Sequence, residues 1–116
     1  MSSMTPEMIP SVVPAEALRE IEAGAVLLDV RERNEWDAGH APQAVLIPMS
    51  EINSHLDELP REGRVVVTCR SGNRSQAVVR FLVGQGVDAV NLDGGMKAWH
   101  GVGGELVADN GSPVII

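Results

Sequence analysis

Residues 65–83 read Val-Val-Val-Thr-Cys-Arg-Ser-Gly-Asn-Arg-Ser-Gln-Ala-Val-Val-Arg-Phe-Leu-Val. A run of β-formers, starting at Arg64 and ending at Thr68, leads directly to Cys69, the only cysteine of the chain. A short polar loop with one glycine follows, and residues 75–83 begin a helix at once. A strand, a tight loop and a helix start in that order make an anion cradle. The loop amides and the helix N-terminus turn their N–H groups toward whatever sits on the sulfur, and Arg70 and Arg74 add full positive charges with no acid between them. Each of these features favours the anion over the thiol, so Cys69 is expected to ionise below the free value of about 8.5. A purely structural cysteine would have no use for two flanking arginines and a helix start.

Working outward, residues 14–22 read as a helix, with proline in its first turn and Ala17, Leu18 and Ile21 at helical spacing. Residues 25–30 form a continuous apolar run of strand length, as strands buried on both faces of a parallel sheet do. Residues 34–39 make a short helical turn carrying Trp36, and residues 44–47 are the next strand, closed by Pro48. Ser50 is expected to cap a helix through Ile52, Leu56 and Leu59, stopped at Pro60. After the cysteine loop and its helix, Gly84 and Gly86 stop the chain, residues 87–92 form another strand, and Gly94-Gly95 turns into a short helix with Met96, Ala98 and Trp99. Strands alternating with helices predict a three-layer α/β fold with a mostly parallel sheet. Ligands in such sheets bind outside the carboxyl ends of the strands, which is where Cys69 falls. Residues 109–116 are expected to be a loose or edge-docked tail.

The chain has 116 residues, the size of one domain, and can bury a core without disulfides. A single domain over residues 1–116 is expected, with its core over roughly residues 10–105 and loose terminal tails. One cysteine excludes an intrachain bridge or a CxxC redox pair, so an oxidised or sulfur-loaded Cys69 must be discharged by a partner or a small thiol outside the chain. The formal net charge of -7 disfavours nucleic acid and anionic membrane as partners. The first residues carry no export signal, and no run approaches the roughly 18 apolar residues of a membrane span, so a cytoplasmic protein is expected. His40, His55 and His100 lie on different elements without ligand spacing, so no metal site is expected.

Three motifs in order resemble the rhodaneses, single-domain members of the sulfurtransferase superfamily. The first is Leu28-Asp29-Val30-Arg31-Glu32 with Glu35-Trp36-Asp37-Ala38-Gly39-His40 and Ala41-Pro42-Gln43-Ala44 through Ile47-Pro48. The second is Cys69-Arg70-Ser71-Gly72-Asn73-Arg74-Ser75, and the third Leu92-Asp93-Gly94-Gly95-Met96-Lys97-Ala98-Trp99. One departure is Gln43, where the family usually has glycine. The resemblance implies a five-stranded, mostly parallel sheet with helices on both faces. It also implies that Cys69 takes the outer sulfur of thiosulfate or a persulfide and passes it to cyanide or a thiol, with no cofactor. A protein could serve as sulfur donor or acceptor.

By chemistry, Arg70 is the best candidate for the oxyanion end of thiosulfate, since a guanidinium fork matches tetrahedral oxyanions. Arg74 either does the same or folds back to brace the loop. Ser71, Gly72, Asn73 and Ser75 contribute mostly backbone amides, with Gly72 allowing a φ that a β-carbon would forbid. Asp29 and Arg31, at the end of a neighbouring strand, are expected to support the loop from behind through hydrogen bonds, and Glu35 and His40 to pin the following turn. Two other functions compete. A cysteine phosphatase or arsenate reductase of related fold has one residue more between cysteine and arginine than the four here, and a non-catalytic rhodanese-like module would normally lack the cysteine.

Overall fold

The computed structural model describes residues 9–116. Two expectations, a loose N-terminal tail and the lack of an export signal, fall mainly on residues 1–8 and there lie outside the described residues. In chain order the elements are β1 (Ser11–Val12), α1 (Pro14–Glu22), β2 (Val26–Asp29), α2 (Arg33–Ala38), β3 (Val45–Leu46), a 3-10 segment (Met49–Glu58), β4 (Arg64–Thr68), α3 (Arg74–Gly84), β5 (Asp88–Leu92) and α4 (Gly95–Gly101). The sheet order is β1-β5-β4-β2-β3, with every pairing parallel. None of the helices is long and apolar enough to cross a membrane, among the described residues.

β4 is the axis because its residues are apolar on both sides. Val65, Val67 and Cys69 enter one core with Leu28, Val30, Ile52, Val78, Val79 and Leu82, under α3 and the 3-10 segment. Val66 points the other way, into a second core with Leu27, Ala17, Val90, Met96 and Trp99, under α1 and α4. The alternation follows from the two-residue period of a strand. All three valines are fully buried, each contributing about 1.5–3 kcal/mol. Register then sets the site: Asp29 lies opposite Thr68 and Asn91 opposite Val67, so β2, β4 and β5 end along one edge.

Three local features differ from expectation. β1 is only two residues between Pro10 and Pro14, too short to leave a periodic signal, and exists because β5 pairs with it: Asn91 N–H donates to the Pro10 carbonyl at 2.8 Å and Asp93 N–H to that of Val12 at 2.9 Å. Ser50 caps nothing. Pro48 holds the cap position, and the Glu51 N–H reaches the Pro48 carbonyl at 2.8 Å, starting a tighter i→i+3 winding that kinks at His55. The C-terminal residues lie against α2 instead of a sheet edge. Val107 forms an antiparallel bridge with His40, the Val114 N–H donates to Ala38 O at 2.9 Å, and Ile115 packs on the second core.

Asp29 and Arg31 are both fully buried and paired to each other: Arg31 Nη2 lies 2.7 Å from Asp29 Oδ2, Nε 2.9 Å from Oδ1. The guanidinium also donates to the carbonyls of Gly39 at 2.8 Å and Glu35 at 3.4 Å. One cation therefore neutralises the end of β2 and fastens both turns of α2 to it. Removing it leaves a buried carboxylate without a counter-charge and the Gly39 carbonyl without this donor, while the Glu35 carbonyl keeps only the Gly39 N–H. Arg31→Met should lower the unfolding free energy by about 3–5 kcal/mol in urea titrations. Arg64→Met, which breaks the exposed contacts to Glu20 and Asp88, should cost no more than about 1 kcal/mol. Equal losses for the two variants would contradict this account.

Candidate active site at the cysteine loop

β4 delivers Cys69 to the carboxyl edge of the sheet, and α3 begins at Arg74. Between them the chain wraps around the sulfur. The Gly72 N–H donates to Cys69 Sγ at 3.2 Å, the Ser75 N–H at 3.4 Å, and Ser75 Oγ lies 3.3 Å away. Gly72 adopts φ +96°, and a β-carbon there would lie 3.3 Å from Gly94 N and 3.4 Å from Leu92 O. Only glycine combines that left-handed turn with such close passage. Asn73 occupies the N-cap position of α3 yet makes no side-chain capping bond. The sulfur does that work: Ser75 N–H belongs to the first turn, where amides lack intrahelical acceptors, and its acceptor is Sγ.

A second helix holds the loop from outside. The Met96 N–H donates to the Cys69 carbonyl at 2.8 Å and the Lys97 N–H to that of Arg70 at 3.0 Å, so the first turn of α4 spends its free donors on the cysteine loop. The approach is so close that a β-carbon on Gly95, φ +61°, would sit 2.5 Å from Cys69 O and 2.7 Å from Arg70 O. From β5, buried Asn91 reaches into the cradle, its Nδ2 donating to Gly72 O at 3.1 Å and its Oδ1 accepting from the Ser75 hydroxyl.

Burial pushes the Cys69 thiol up, but the Ser75 hydroxyl and the N–H groups of Ser75, Gly72 and Ser71 outweigh it and hold the group below the ordinary thiol value. The lowering thus comes from short hydrogen bonds to sulfur, with the guanidinium charges secondary. Cys69 is 1 % exposed, so the loop and its neighbours shield the residue almost completely from solvent.

The two arginines have different places. Arg74 turns away to Glu35 on α2 in a two-pronged pair, Nη1 to Oε1 at 2.9 Å and Nη2 to Oε2 at 2.8 Å. The pair holds the Glu35 carboxyl below the ordinary carboxylate value, chiefly through the Arg74 hydrogen bonds, and raises Arg74. Arg70 is exposed and has no ion-pair partner among the described residues. Ser71 and Asn73 lie in the exposed rim of the loop, and Ser75 is fully buried beneath it. Asp29 and Arg31 do not form the expected hydrogen bonds to the loop, because Arg31 spends its donors on Asp29 and the carbonyls of α2. Their link to the loop runs through α2 and Glu35. His40 does pin the turn after α2, stacked on Trp36 at 3.7 Å with Nδ1 2.8 Å from the Trp36 carbonyl. Sequence reasoning passed over Asn91, whose one available signal is an amide inside an otherwise apolar strand.

A family model described as rhodanese-like domain matches residues 13–101. Over 92 residues the chain is 44 % identical to the Bacillus subtilis protein named "Putative sulfurtransferase YtwF", covering 77 % of this chain and 89 % of that one. A crystal structure of a rhodanese-related protein from Thermoplasma volcanium superposes with a TM-score of 0.80 at 34 % identity, over 86 % of this chain and 99 % of that one. A thiosulfate sulfurtransferase from Pseudomonas aeruginosa gives a TM-score of 0.80 at 25 % identity, over 92 % of this chain but 22 % of that longer one. With an all-parallel five-stranded sheet between helices and a donor-lined cysteine loop at its carboxyl edge, the chain belongs to the rhodanese-like domain family.

Proposed function

We propose that this protein is a sulfurtransferase of the thiosulfate or persulfide class, with Cys69 as the sulfur carrier. The observation that supports the reading best is the convergence of Gly72 N–H, Ser75 N–H and Ser75 Oγ on one buried sulfur. In the first half-reaction the Cys69 thiolate attacks the outer sulfur of thiosulfate. A Cys69–sulfur bond forms, the bond to the sulfonate sulfur breaks, and sulfite leaves with that electron pair. The persulfide anion left behind takes the place of the thiolate within reach of the loop donors. In the second half-reaction cyanide or a thiolate attacks the outer sulfur and returns the thiolate of Cys69.

Arg70, exposed and without an ion-pair partner among the described residues, receives the sulfonate, while Arg74, occupied by Glu35, braces the loop. Ser71, Asn73 and Gly72 line the entry with backbone. The acceptor in the cell is a small thiol or a protein thiol, chosen outside the cradle. Four residues between Cys69 and Arg74 make a loop fitted to one added sulfur and too tight for a phosphoryl group, which needs donors around three equatorial oxygens.

The direct test is intact-protein mass spectrometry after thiosulfate treatment. Wild-type protein should gain one sulfur atom, lost on adding cyanide, and Cys69→Ser should gain none. Turnover retained in Cys69→Ser would sink the reading, and Cys69-dependent aryl phosphate hydrolysis exceeding sulfur transfer would replace it with a phosphatase.

Arg70→Ala should reduce kcat/KM for thiosulfate roughly 10- to 100-fold, the loss of one charge-assisted bond, and that for glutathione persulfide much less. Equal losses would instead place Arg70 in control of Cys69 ionisation. For Glu35, a lowered folded-state value means its pairing stabilises the fold above the ordinary carboxylate value of 4.5 and is lost as pH falls through the lowered one. Wild type should therefore exceed Glu35→Gln in stability by about 1 kcal/mol at neutral pH, discounted for the partial exposure of Arg74, and the two should converge in acid. A gap that persists or grows below that range would refute the pairing argument.

A further inference from the structure

Asn91 bridges two parts of the cradle that carry different chemistry. Its Nδ2 donates to the Gly72 carbonyl at 3.1 Å, and a carbonyl oxygen can only accept, so this contact decides which end of the amide faces which neighbour. Oδ1 is thereby turned to Ser75, whose hydroxyl donates to it. Ser75 has a single hydroxyl proton. Two acceptors lie within its reach, Asn91 Oδ1 and Cys69 Sγ at 3.3 Å, and it can serve one at a time.

While Cys69 is a thiol, every group is satisfied: Ser75 donates to Asn91, and the S–H donates to the Ser75 oxygen. When the thiol loses its proton to solvent, the anionic sulfur keeps the Gly72 and Ser75 N–H bonds and competes for the Ser75 hydroxyl. Satisfying the sulfur then strips Asn91 Oδ1, on a side chain buried to all but 4 %, of its donor, and an unpaired buried acceptor is costly. We propose that Asn91 is a positioning residue that holds the Ser75 hydroxyl proton and thereby sets how readily Cys69 becomes a thiolate. Its action opposes ionisation. That suits a nucleophile, because thiolate reactivity toward sulfur falls as the thiol becomes more acidic and is best when the group titrates near ambient pH.

The charged groups where the elements meet at Cys69 are Arg70 in the loop, Arg74 at the start of α3 with Glu35 on α2, the Asp29–Arg31 pair at the end of β2, Asp93 in the β5–α4 turn and Lys97 in the first turn of α4, while Arg64 and Asp88 lie at the opposite ends of β4 and β5 and Arg80 is exposed further along α3. None of these hydrogen-bonds to the Asn91 side chain, whose partners are Ser75 and the Gly72 carbonyl, so the hydroxyl proton is the variable. If Asn91 were only a brace for the Gly72 carbonyl, its loss would loosen the loop and make the thiolate less favourable. The two roles therefore predict opposite signs.

The proposal takes Cys69 as the reacting group, as the sulfurtransferase reading does, but its test uses no sulfur donor: the pH dependence of iodoacetamide alkylation of the only cysteine. Asn91→Ala should lower the midpoint by about 0.5–1 pH unit, and Ser75→Ala should raise it. The double variant should match Ser75→Ala, because without the hydroxyl Asn91 has nothing to hold. An unchanged or raised midpoint in Asn91→Ala, or a drop that persists in the Ser75→Ala background, overturns the proposal. Wild-type protein gives a readout that needs no folded variant at position 91. At pH below the midpoint its single S–H infrared band should be shifted to lower frequency, as for a thiol donating to oxygen, and a free-thiol frequency overturns the proposal. Loss of sulfur transfer with these shifts intact would count against the sulfurtransferase reading alone and support the role of Asn91.

Discussion

A sulfur anion shielded from water has to be given hydrogen-bond donors by the protein, and the arrangement around Cys69 follows from supplying them. Backbone N–H groups are the natural source, and they are free only where a strand has ended and a helix has just begun. β4 carries the sulfur to that place, the Gly72 turn aims one amide at it, and the start of α3 aims another. The loop's own carbonyls then face outward and need donors in their turn. The first turn of α4 supplies them to Cys69 and Arg70, and Asn91 to Gly72. Two helix starts and one strand end are thus closed on each other, each meeting a need the other leaves.

Electrostatics divide between this inner shell of dipoles and an outer shell of full charges. Inside, short hydrogen bonds overcome the burial of the sulfur. Outside, Glu35 takes up Arg74, while Arg70 is exposed and has no ion-pair partner among the described residues. The buried Asp29–Arg31 pair belongs to neither shell. It secures α2, and with it the carboxylate that occupies Arg74, so a mutation there would reach the loop only through the scaffold.

Strands and helices that bury apolar faces were legible because their patterns are local. Val65 to Val67, Leu27 and Leu28, and the run after Ser75 point to elements that the structure contains with ends shifted by a residue or two. The surroundings of Cys69 were legible for the same reason, since the glycine, the helix start and the arginines are close together in sequence. What could not be read depends on partners distant in sequence. β1 needs β5 to exist at all. Glu35 and Arg74 are 39 residues apart, and Ser75 and Asn91 16, and no spacing rule connects them. The 3-10 winding after Pro48 has the apolar spacing of an ordinary helix at Ile52, Leu56 and Leu59, so pattern alone could not distinguish the two.

Because Cys69 Sγ stands where a capping side chain would otherwise stand at the head of α3, the sulfur is also a piece of the framework. Its ionised form is held better in the folded chain than in the unfolded one. The resulting stabilisation is complete above the ordinary thiol value and is lost as pH falls through the lowered folded-state value. The thiolate therefore acts toward its own domain as a bound anion would, favouring the folded state by mass action. Each change at the sulfur, whether a proton gained, a sulfur atom added or an alkyl group attached, alters the cap on a helix that packs on β4 and β5 at the centre of the domain. Thermal stability of the whole domain thereby becomes a gauge of what the cysteine is carrying.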